Sequence, residues 1–235
     1  MDLYIFRFLN MDKNTVIIEL QLLRNEKSLE GMSRFGINTE NAFGISMVQL
    51  RILAKRMGKN HELALELWKT AYHEARILAS MIDIADDVTS LQMNEWVKDF
   101  NSWDLCDQCC GNLFRYTSFA YEKAVEWSFS DVEYIRRAGF VMMASLAIGD
   151  KKAKDDKFLP FFELIVKHSD DDRNFVKKAV NWALRQMGKR SLYMRGKTLD
   201  CIEILLKDNS KTAQWIAKDA QRELNNVKTI KNIKR

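Results

Sequence analysis

The chain of 235 residues is 47% hydrophobic and 29% charged, with a formal net charge of +5. This is an ordinary composition for a globular domain with a sizeable core, and no apolar run is long enough to span a membrane. One proline and nine glycines argue against the many turns of a sheet protein. The sequence therefore predicts an all-α fold.

Apolar residues recur at helical spacing from about residue 14 onward, which predicts a series of helices with short connections. Gly31 and Gly36 interrupt the pattern after the first helix, and Gly58 closes the second. Ser130 is expected to cap a long helix whose first turn is acidic. In chain order, the predicted helices cover residues 14–28, 46–57, 61–71, 74–84, 91–100, 104–114, 119–127, 131–148, 158–167, 173–188, 194–207 and 210–226. We expect a single domain over residues 1–235, with a helical cap at 1–34 and a frayed basic tail at 228–235.

Three of the predicted helices resemble one another in sequence, over residues 134–141, 175–182 and 215–222. Their spacing of about 40 residues is typical of HEAT-like repeats, in which helix pairs stack into a curved superhelical solenoid. The inner helices of such a solenoid line a concave surface, and basic residues repeated along them would make a groove for a phosphate backbone. The basic residues of these inner helices are Arg136, Arg137, Lys177, Lys178, Arg185 and Lys218. The alternative is that each one pairs with an acidic residue of a neighbouring helix.

Trp103 and Asp107 lie four residues apart, so on a helix they share a face. An indole beside a carboxylate suits a site that must hold a cation. Trp182 also lies in a strongly helical stretch close to charged residues, although a core tryptophan is the alternative there. A solvated acid near a helix start is the alternative for Asp107. We interpret the other tryptophans as packing residues: Trp68, Trp96, Trp127 and Trp215.

The four cysteines do not form a disulfide framework, because three crowd one helical turn and Cys201 is remote. Cys106, Cys109 and Cys110 would share one helix face, which favours buried packing over zinc binding or redox chemistry. Reduced thiols indicate a cytoplasmic protein. The chain contains neither a Gly-rich phosphate loop nor a Gly-x-Ser-x-Gly motif, so nucleotide hydrolysis and serine hydrolase chemistry have no support.

The order of these motifs resembles the DNA alkylation repair enzymes of the AlkD type. The segments that carry the resemblance are residues 46–55, 61–68, 73–79, 103–107, 135–138 and 180–185. The similarity extends over roughly residues 35–189.

The resemblance implies a DNA glycosylase of base-excision repair, built from HEAT-like repeats. Such enzymes hydrolyse the N-glycosidic bond of positively charged alkylated purines, typically 3-methyladenine and 7-methylguanine, in duplex DNA and without deep base flipping. The resemblance implies that Asp107 stabilises the oxocarbenium-like sugar and positions a water. Trp103 and Trp182 would pack against the cationic nucleotide, and Arg137 would hold a phosphate. The enzyme would be monofunctional, with neither metal nor cofactor.

Further DNA contacts are expected from Arg51, Lys55, Arg136, Lys177, Lys178, Arg185, Lys189, Arg190 and Lys218. The expected partner is double-stranded DNA containing alkylated bases, with no membrane association, and the expected state is a monomer. Two alternatives remain on the same scaffold. One is a non-catalytic protein that binds duplex nucleic acid, and the other is a protein-interaction scaffold.

Overall fold

A computed structural model describes residues 11–233 of the chain. All regular structure in this part is helical, in fourteen α-helices and two short 3-10 helices. The chain forms two compact units, which adjoin in sequence at Thr117 and Ser118. Within the described residues, no helix is long and apolar enough to cross a membrane.

The first unit contains seven α-helices among its described residues. They are α1 (Lys13–Leu22), α2 (Glu26–Arg34), α3 (Met47–Met57), α4 (His61–Trp68), α5 (His73–Ile82), α6 (Ser90–Lys98) and α7 (Trp103–Asn112), followed by a 3-10 helix, Phe114–Tyr116. Helices α3, α5 and α7 pack side by side as one layer. On the other side of α5 lies α4, which is joined to α6 by the stacked rings of Trp68 and Trp96, with centroids 3.9 Å apart.

The boundaries of α3 follow the sequence closely. Ser46 caps its start, and Gln49 bonds back to Ser46 in a capping box, which satisfies two backbone N–H groups that would otherwise lack partners. Gly58 ends the helix with φ of 72°, a conformation that glycine adopts at little cost. The predicted helix over residues 46–57 is therefore confirmed.

The single helix predicted over residues 14–28 is wrong, because α1 ends at Leu22 and α2 begins at Glu26. Asn25 has an extended backbone and accepts a hydrogen bond from Ser28 N through its side chain, at 3.0 Å. An asparagine in this position competes with helical hydrogen bonding and starts a new helix instead. Gly31, expected in a loop, lies inside α2.

The second unit contains seven further α-helices among its described residues. They are α8 (Ala120–Ser128), α9 (Glu133–Gly149), α10 (Leu159–Lys167), α11 (Asn174–Gly188), α12 (Leu192–Leu206), α13 (Lys211–Leu224) and α14 (Val227–Asn232), with a 3-10 helix at Asp155–Phe158. Helices α9, α11 and α13 pack side by side, and α8, α10 and α12 form a second layer against them. The three helices of similar sequence are thus successive members of one layer, as expected for HEAT-like repeats.

Two sequence expectations differ from the structure in this unit. Ser130 does not cap α9: the helix begins at Glu133, Val132 occupies the cap position, and Ser130 Oγ accepts from Val132 N at 3.2 Å. The hydroxyl thus supports the turn before the helix. The tail expected to fray contains α14, because Asn226 accepts from Lys228 N at 2.9 Å and Ile233 is buried. Residues 1–10 and 234–235, at the ends of the predicted cap and tail, lie outside the described residues.

Candidate nucleic-acid interface

The tryptophan and the acid of the predicted site lie one turn apart on α7. Trp103 is the first residue of this helix and donates its indole N–H to the Phe35 carbonyl at 3.0 Å. Asp107 follows four residues later, and both side chains are half-buried. The indole hydrogen bond fixes the ring in one orientation, so the surface beside Asp107 is a defined one.

A buried ion pair holds the start of α7 against α5. His73 Nε2 lies 2.9 Å from Asp104 Oδ2, and Ser102 Oγ donates to Asp104 Oδ1 at 2.8 Å. Burial lowers the pKa of His73, but the hydrogen bond and charge of Asp104 outweigh it, so the pKa is raised overall. Burial likewise raises the pKa of Asp104, while the partnership with His73 lowers it further, and the net direction is down. Both shifts favour a charged pair at neutral and mildly acidic pH.

The next residue of α5 holds the start of α3. The Glu74 carboxylate is buried and accepts three backbone N–H bonds, from Phe43 at 2.8 Å, Gly44 at 2.7 Å and Ile45 at 3.1 Å. Gly44 has φ of 77°, and a Cβ there would meet the Asn25 carbonyl at 2.3 Å. Together, His73 and Glu74 fix the beginnings of the two helices that flank α5.

Two of the expected DNA-binding residues lie on α3. Arg51 and Lys55 are exposed one turn apart, and neither forms an ion pair with another described residue. By contrast Arg56, on the same helix, is paired with Glu19 at 2.5 Å. Arg51 and Lys55 therefore leave their charge available to a ligand.

In the second unit, the two arginines at the start of α9 are held within the protein. Arg136 pairs with Asp131 at 3.1 Å and with Asp171 at 2.7 Å. Arg137 is only 5% exposed and donates to the Phe175 carbonyl at 2.6 Å. Because they are largely buried and have partners within the protein, the main structural role of the two arginines is to connect α9 to the start of α11.

A polar ladder joins α11 to α13. Asn181 donates to Asp219 at 2.8 Å, and Glu223 accepts from Arg185 at 2.5 Å and from Lys189 at 2.6 Å. Burial raises the pKa of Glu223, but the hydrogen bond from Lys189 and the charges of Arg185 and Lys189 lower it overall. The alternative that a basic residue of the inner helices pairs with an acid of a neighbouring helix is confirmed for Arg185. Arg136 also pairs internally, with acids of the loops before α9 and α11.

Trp182 lies beside this ladder on α11, where it is half-buried. The side-chain amide of Gln186 satisfies both neighbouring donors when its oxygen faces them. In this orientation the Gln186 oxygen accepts from Trp182 Nε1 at 2.9 Å and from Lys189 Nζ at 3.0 Å. The indole is thereby fixed along α11. This arrangement resembles that of Trp103, whose N–H is also committed to the protein.

Arg190 is a structural residue, although the sequence suggested a DNA contact. Its side chain is 6% exposed and pairs with Asp155 at 2.9 Å. Its guanidinium also donates to the Ala147, Asp150 and Ala153 carbonyls. These bonds close the end of α9 and the loop that follows it, and they consume the donors that a phosphate would need.

Exposed lysines lie on both α11 and α13. Lys178 and Lys218 are exposed, and no described carboxylate pairs with either. Lys177 lies over the Trp215 ring, with its ammonium 5.5 Å from the ring centroid. Trp215 is 43% exposed, so its interpretation as a packing residue is wrong. That interpretation is confirmed for Trp68, Trp96 and Trp127, all of which are buried.

The cysteine cluster of α7 is buried, as its spacing predicts. Cys106, Cys109 and Cys110 are fully enclosed, and burial raises the pKa of Cys109 and Cys110 well above the usual range. Thiols in this state are poor nucleophiles. Among residues 11–233, no three His, Cys, Asp or Glu side chains are grouped so that they could hold a metal ion.

Comparison with known proteins identifies the family. The model described as DNA alkylation repair enzyme matches residues 16–224, which is most of the chain. The chain belongs to the DNA alkylation repair enzyme family. No curated protein matches this family member in a sequence search.

A solved structure shares the fold of this family member with a TM-score of 0.73. It is 21% identical in sequence, and the match covers 90% of this chain and 95% of the other. The protein in that structure is described as part of a new family related to the HEAT-like repeat DNA glycosylases, with affinity for branched DNA structures. The likeness confirms the all-α fold of HEAT-like repeats.

Proposed function

We propose that this protein is a DNA glycosylase that releases positively charged alkylated purines, such as 3-methyladenine and 7-methylguanine, from duplex DNA. The observation that carries the proposal is the pair Trp103 and Asp107, one turn apart on α7. The His73–Asp104 pair fixes the start of that helix. Membership of the DNA alkylation repair enzyme family supports it.

The reaction needs little acid catalysis, because the alkylated base already carries a positive charge. When the bond between C1′ and the purine nitrogen breaks, the electron pair leaves with the base and neutralises it. The sugar then becomes oxocarbenium-like, and the Asp107 carboxylate stabilises that positive charge. Water adds through its oxygen to C1′, and its proton passes to Asp107 or to solvent. The proposed chemistry uses neither a metal nor a cofactor.

The family resemblance implies that the indoles of Trp103, in the first unit, and of Trp182, in the second, each pack against the cationic nucleotide or its sugar. Each has its N–H committed to the protein, at Phe35 and Gln186, so each presents a fixed aromatic face. We assign Arg137 a positioning role, because its buried guanidinium binds the Phe175 carbonyl at the start of α11. It would act on the site through α11, which carries Trp182.

The proposed phosphate contacts come from exposed or half-buried basic residues whose charge no described carboxylate neutralises. They are Arg51, Lys55, Lys177, Lys178 and Lys218. Arg136, Arg185 and Lys189 contribute less, because carboxylates within 3.1 Å offset their charge. The protein would act as a monomer on cytoplasmic DNA.

The test is base release from methylated duplex DNA, quantified by chromatography and mass spectrometry. Replacing Asp107 by Asn removes the charge that stabilises the sugar, so we expect excision to fall by about 100-fold or more with duplex affinity almost unchanged. Asp86→Asn, at an exposed acid of the same unit, is the matched control and should keep the full rate. Full activity in Asp107→Asn would exclude this carboxylate from the chemistry.

A second candidate function is non-catalytic binding of branched DNA. It is favoured by the solved structure of similar fold, whose protein is described as having that affinity. Here the basic residues would contact phosphates of a junction, and Asp107 would have no chemical role. Absence of base release, combined with tighter binding to a four-way junction than to a duplex of the same sequence, would favour this candidate.

A further inference from the structure

The three similar sequence segments, on three helices of one layer, each begin with an aromatic residue. Tyr134 on α9, Phe175 on α11 and Trp215 on α13 occupy corresponding places in the three similar segments. The rings of Tyr134 and Phe175 are stacked, with centroids 5.8 Å apart and planes inclined by 27°. Trp215 is the last of the series, and its indole is the most exposed of the three.

Trp215 does not belong to the buried face of α13. That face consists of Ala213, Ile216, Ala217, Ala220 and Leu224, whereas Trp215 lies to one side of it and is 43% exposed. A single exposed apolar side chain needs no explanation on its own. What sets this one apart is Lys177 from the neighbouring helix, whose ammonium lies 5.5 Å from the ring centroid and holds the indole in place.

The charge near Trp215 that is not neutralised within the protein is positive. Lys178 lies near the start of α11 and Lys218 in the middle of α13; both are exposed, and no described carboxylate pairs with either. The nearest acid on α13, Asp219, already bonds to Asn181 and to Arg222. An anion that approaches the indole would therefore meet lysines whose charge is not neutralised.

We propose that Trp215, with Lys177, Lys178 and Lys218, binds unpaired nucleotides of a DNA strand. A base would stack on the indole, and the adjacent phosphates would contact the lysines. Every base has a π-face, so such a site tolerates any sequence, but it requires a base that has left the duplex stack. Bases inside an intact duplex are already stacked on their neighbours and cannot use the indole.

The proposal rests on DNA binding as proposed above, and it is independent of base excision. It adds a preference for DNA with unpaired nucleotides, such as a single-stranded overhang or the strands at a branch point. A site that only recognised phosphates would need the lysines and not the ring. The contribution of the indole is therefore the feature to test.

The experiment compares two labelled DNA probes by fluorescence anisotropy, using the full chain. One probe is a blunt duplex, and the other is the same duplex with an oligothymidylate overhang. Trp215→Ala should weaken binding to the overhang probe by about tenfold and leave binding to the blunt duplex within about twofold. Trp215→Phe keeps an aromatic face and should retain most of the affinity.

Tyr193 on α12 offers a matched control, because it is 49% exposed and also has a lysine, Lys197, over its ring at 6.0 Å. It lies in the other layer of the same unit, so Tyr193→Ala should change neither affinity. Equal affinities of the wild type for the two probes would overturn the proposal. An unchanged affinity of Trp215→Ala for the overhang probe, or an equal loss of affinity for both probes, would also overturn it. In each of these cases, binding of the wild type to the duplex would still support the proposed DNA function. Binding to neither probe would overturn this proposal and the proposed DNA function together.

Discussion

His73 and Asp104 form a buried pair whose effect on stability depends on pH. The raised pKa of His73 means that its contribution is complete below its unfolded value of about 6.5 and is lost as pH rises through the folded pKa. The lowered pKa of Asp104 means that its contribution is present above about 3.8 and is lost as pH falls through the folded pKa. The pair is therefore most stabilising between these two limits. Glu74 supports the charged histidine, and Arg76 opposes it.

We predict that Asp104→Asn lowers the free energy of unfolding by about 1–3 kcal/mol near pH 5.5 and by less near pH 9. The substitution removes the carboxylate that stabilises protonated His73. Urea denaturation followed by circular dichroism at both pH values would measure the difference. Asp86→Asn, at an exposed acid, serves as the control. An equal loss at both pH values would contradict a contribution from His73 protonation.

At the same scale, the sequence predicts some residue roles well and others poorly. Burial of Cys106, Cys109 and Cys110 follows from their spacing, because helix geometry alone decides it. The exposure of Trp215 does not follow, because a tryptophan among apolar residues has the same pattern whether it is packed or held by a lysine of the next helix. That lysine, Lys177, is distant in sequence. The one available signal was the shared register of Trp215 with Phe175 and Tyr134.

At the scale of helices, α8 and α9 approach each other closely. Gly139 lies where the two meet, and a Cβ at this position would be 2.5 Å from Ser128 N and 2.9 Å from Ser128 Cα. Both atoms belong to the backbone, so they cannot move aside as the end of a side chain can. The glycine is therefore required by the distance between the helices.

We expect Gly139→Ala to lower the free energy of unfolding by about 2 kcal/mol or more, because the two helices must separate to accept the methyl group. Gly196→Ala is the matched change, since Gly196 lies inside α12 with no atom within 4 Å of the added Cβ. It should raise stability by about 0.5–1 kcal/mol through helix propensity. Thermal and urea denaturation of both variants would show the opposite signs. A stable Gly139→Ala protein would mean that α8 and α9 can shift apart at little cost.

Helix boundaries were predictable where a local cap decides them. Ser46, Gln49 and Gly58 set both ends of α3 through groups within a few residues of one another. The sequence does not predict the break at Asn25, because apolar residues continue past it and a single side-chain hydrogen bond decides where α2 begins. Nor does it predict the role of Ser130, whose hydroxyl supports the turn that precedes α9 instead of capping the helix.

At the scale of the molecule, the exposed basic residues proposed to contact DNA belong to one layer within each unit. Lys178 and Lys218 lie on α11 and α13, and Arg51 and Lys55 lie on α3. Each of these helices belongs to the layer that carries the proposed site residues of its unit. In the second unit, the sequence repeat of about 40 residues predicts that α9, α11 and α13 form one layer. The division at Thr117 and Ser118 was not predictable, because no glycine- or proline-rich linker marks it.

We predict that DNA affinity falls steeply with salt and that the slope identifies the residues in contact with phosphate. Lys178→Ala should reduce the logarithmic slope by about 0.9, which corresponds to one lost phosphate contact. Lys207→Ala removes an exposed charge at the end of α12 and should leave the slope unchanged. Anisotropy titrations on duplex DNA across a range of salt concentrations would measure both. Identical slopes for the two variants would mean that Lys178 makes no specific phosphate contact. Its charge would then attract DNA only through the electrostatic field of the whole protein.

The three backbone bonds to Glu74 imply a pattern of mutational epistasis. A segment of the chain before α3 takes its conformation from a carboxylate about 30 residues later, and Gly44 can adopt that conformation only without a side chain. Once Glu74 is lost, replacing Gly44 should do little additional harm, although each change alone is damaging. In a library of double variants, these two positions would therefore be among the most strongly non-additive pairs of the first unit.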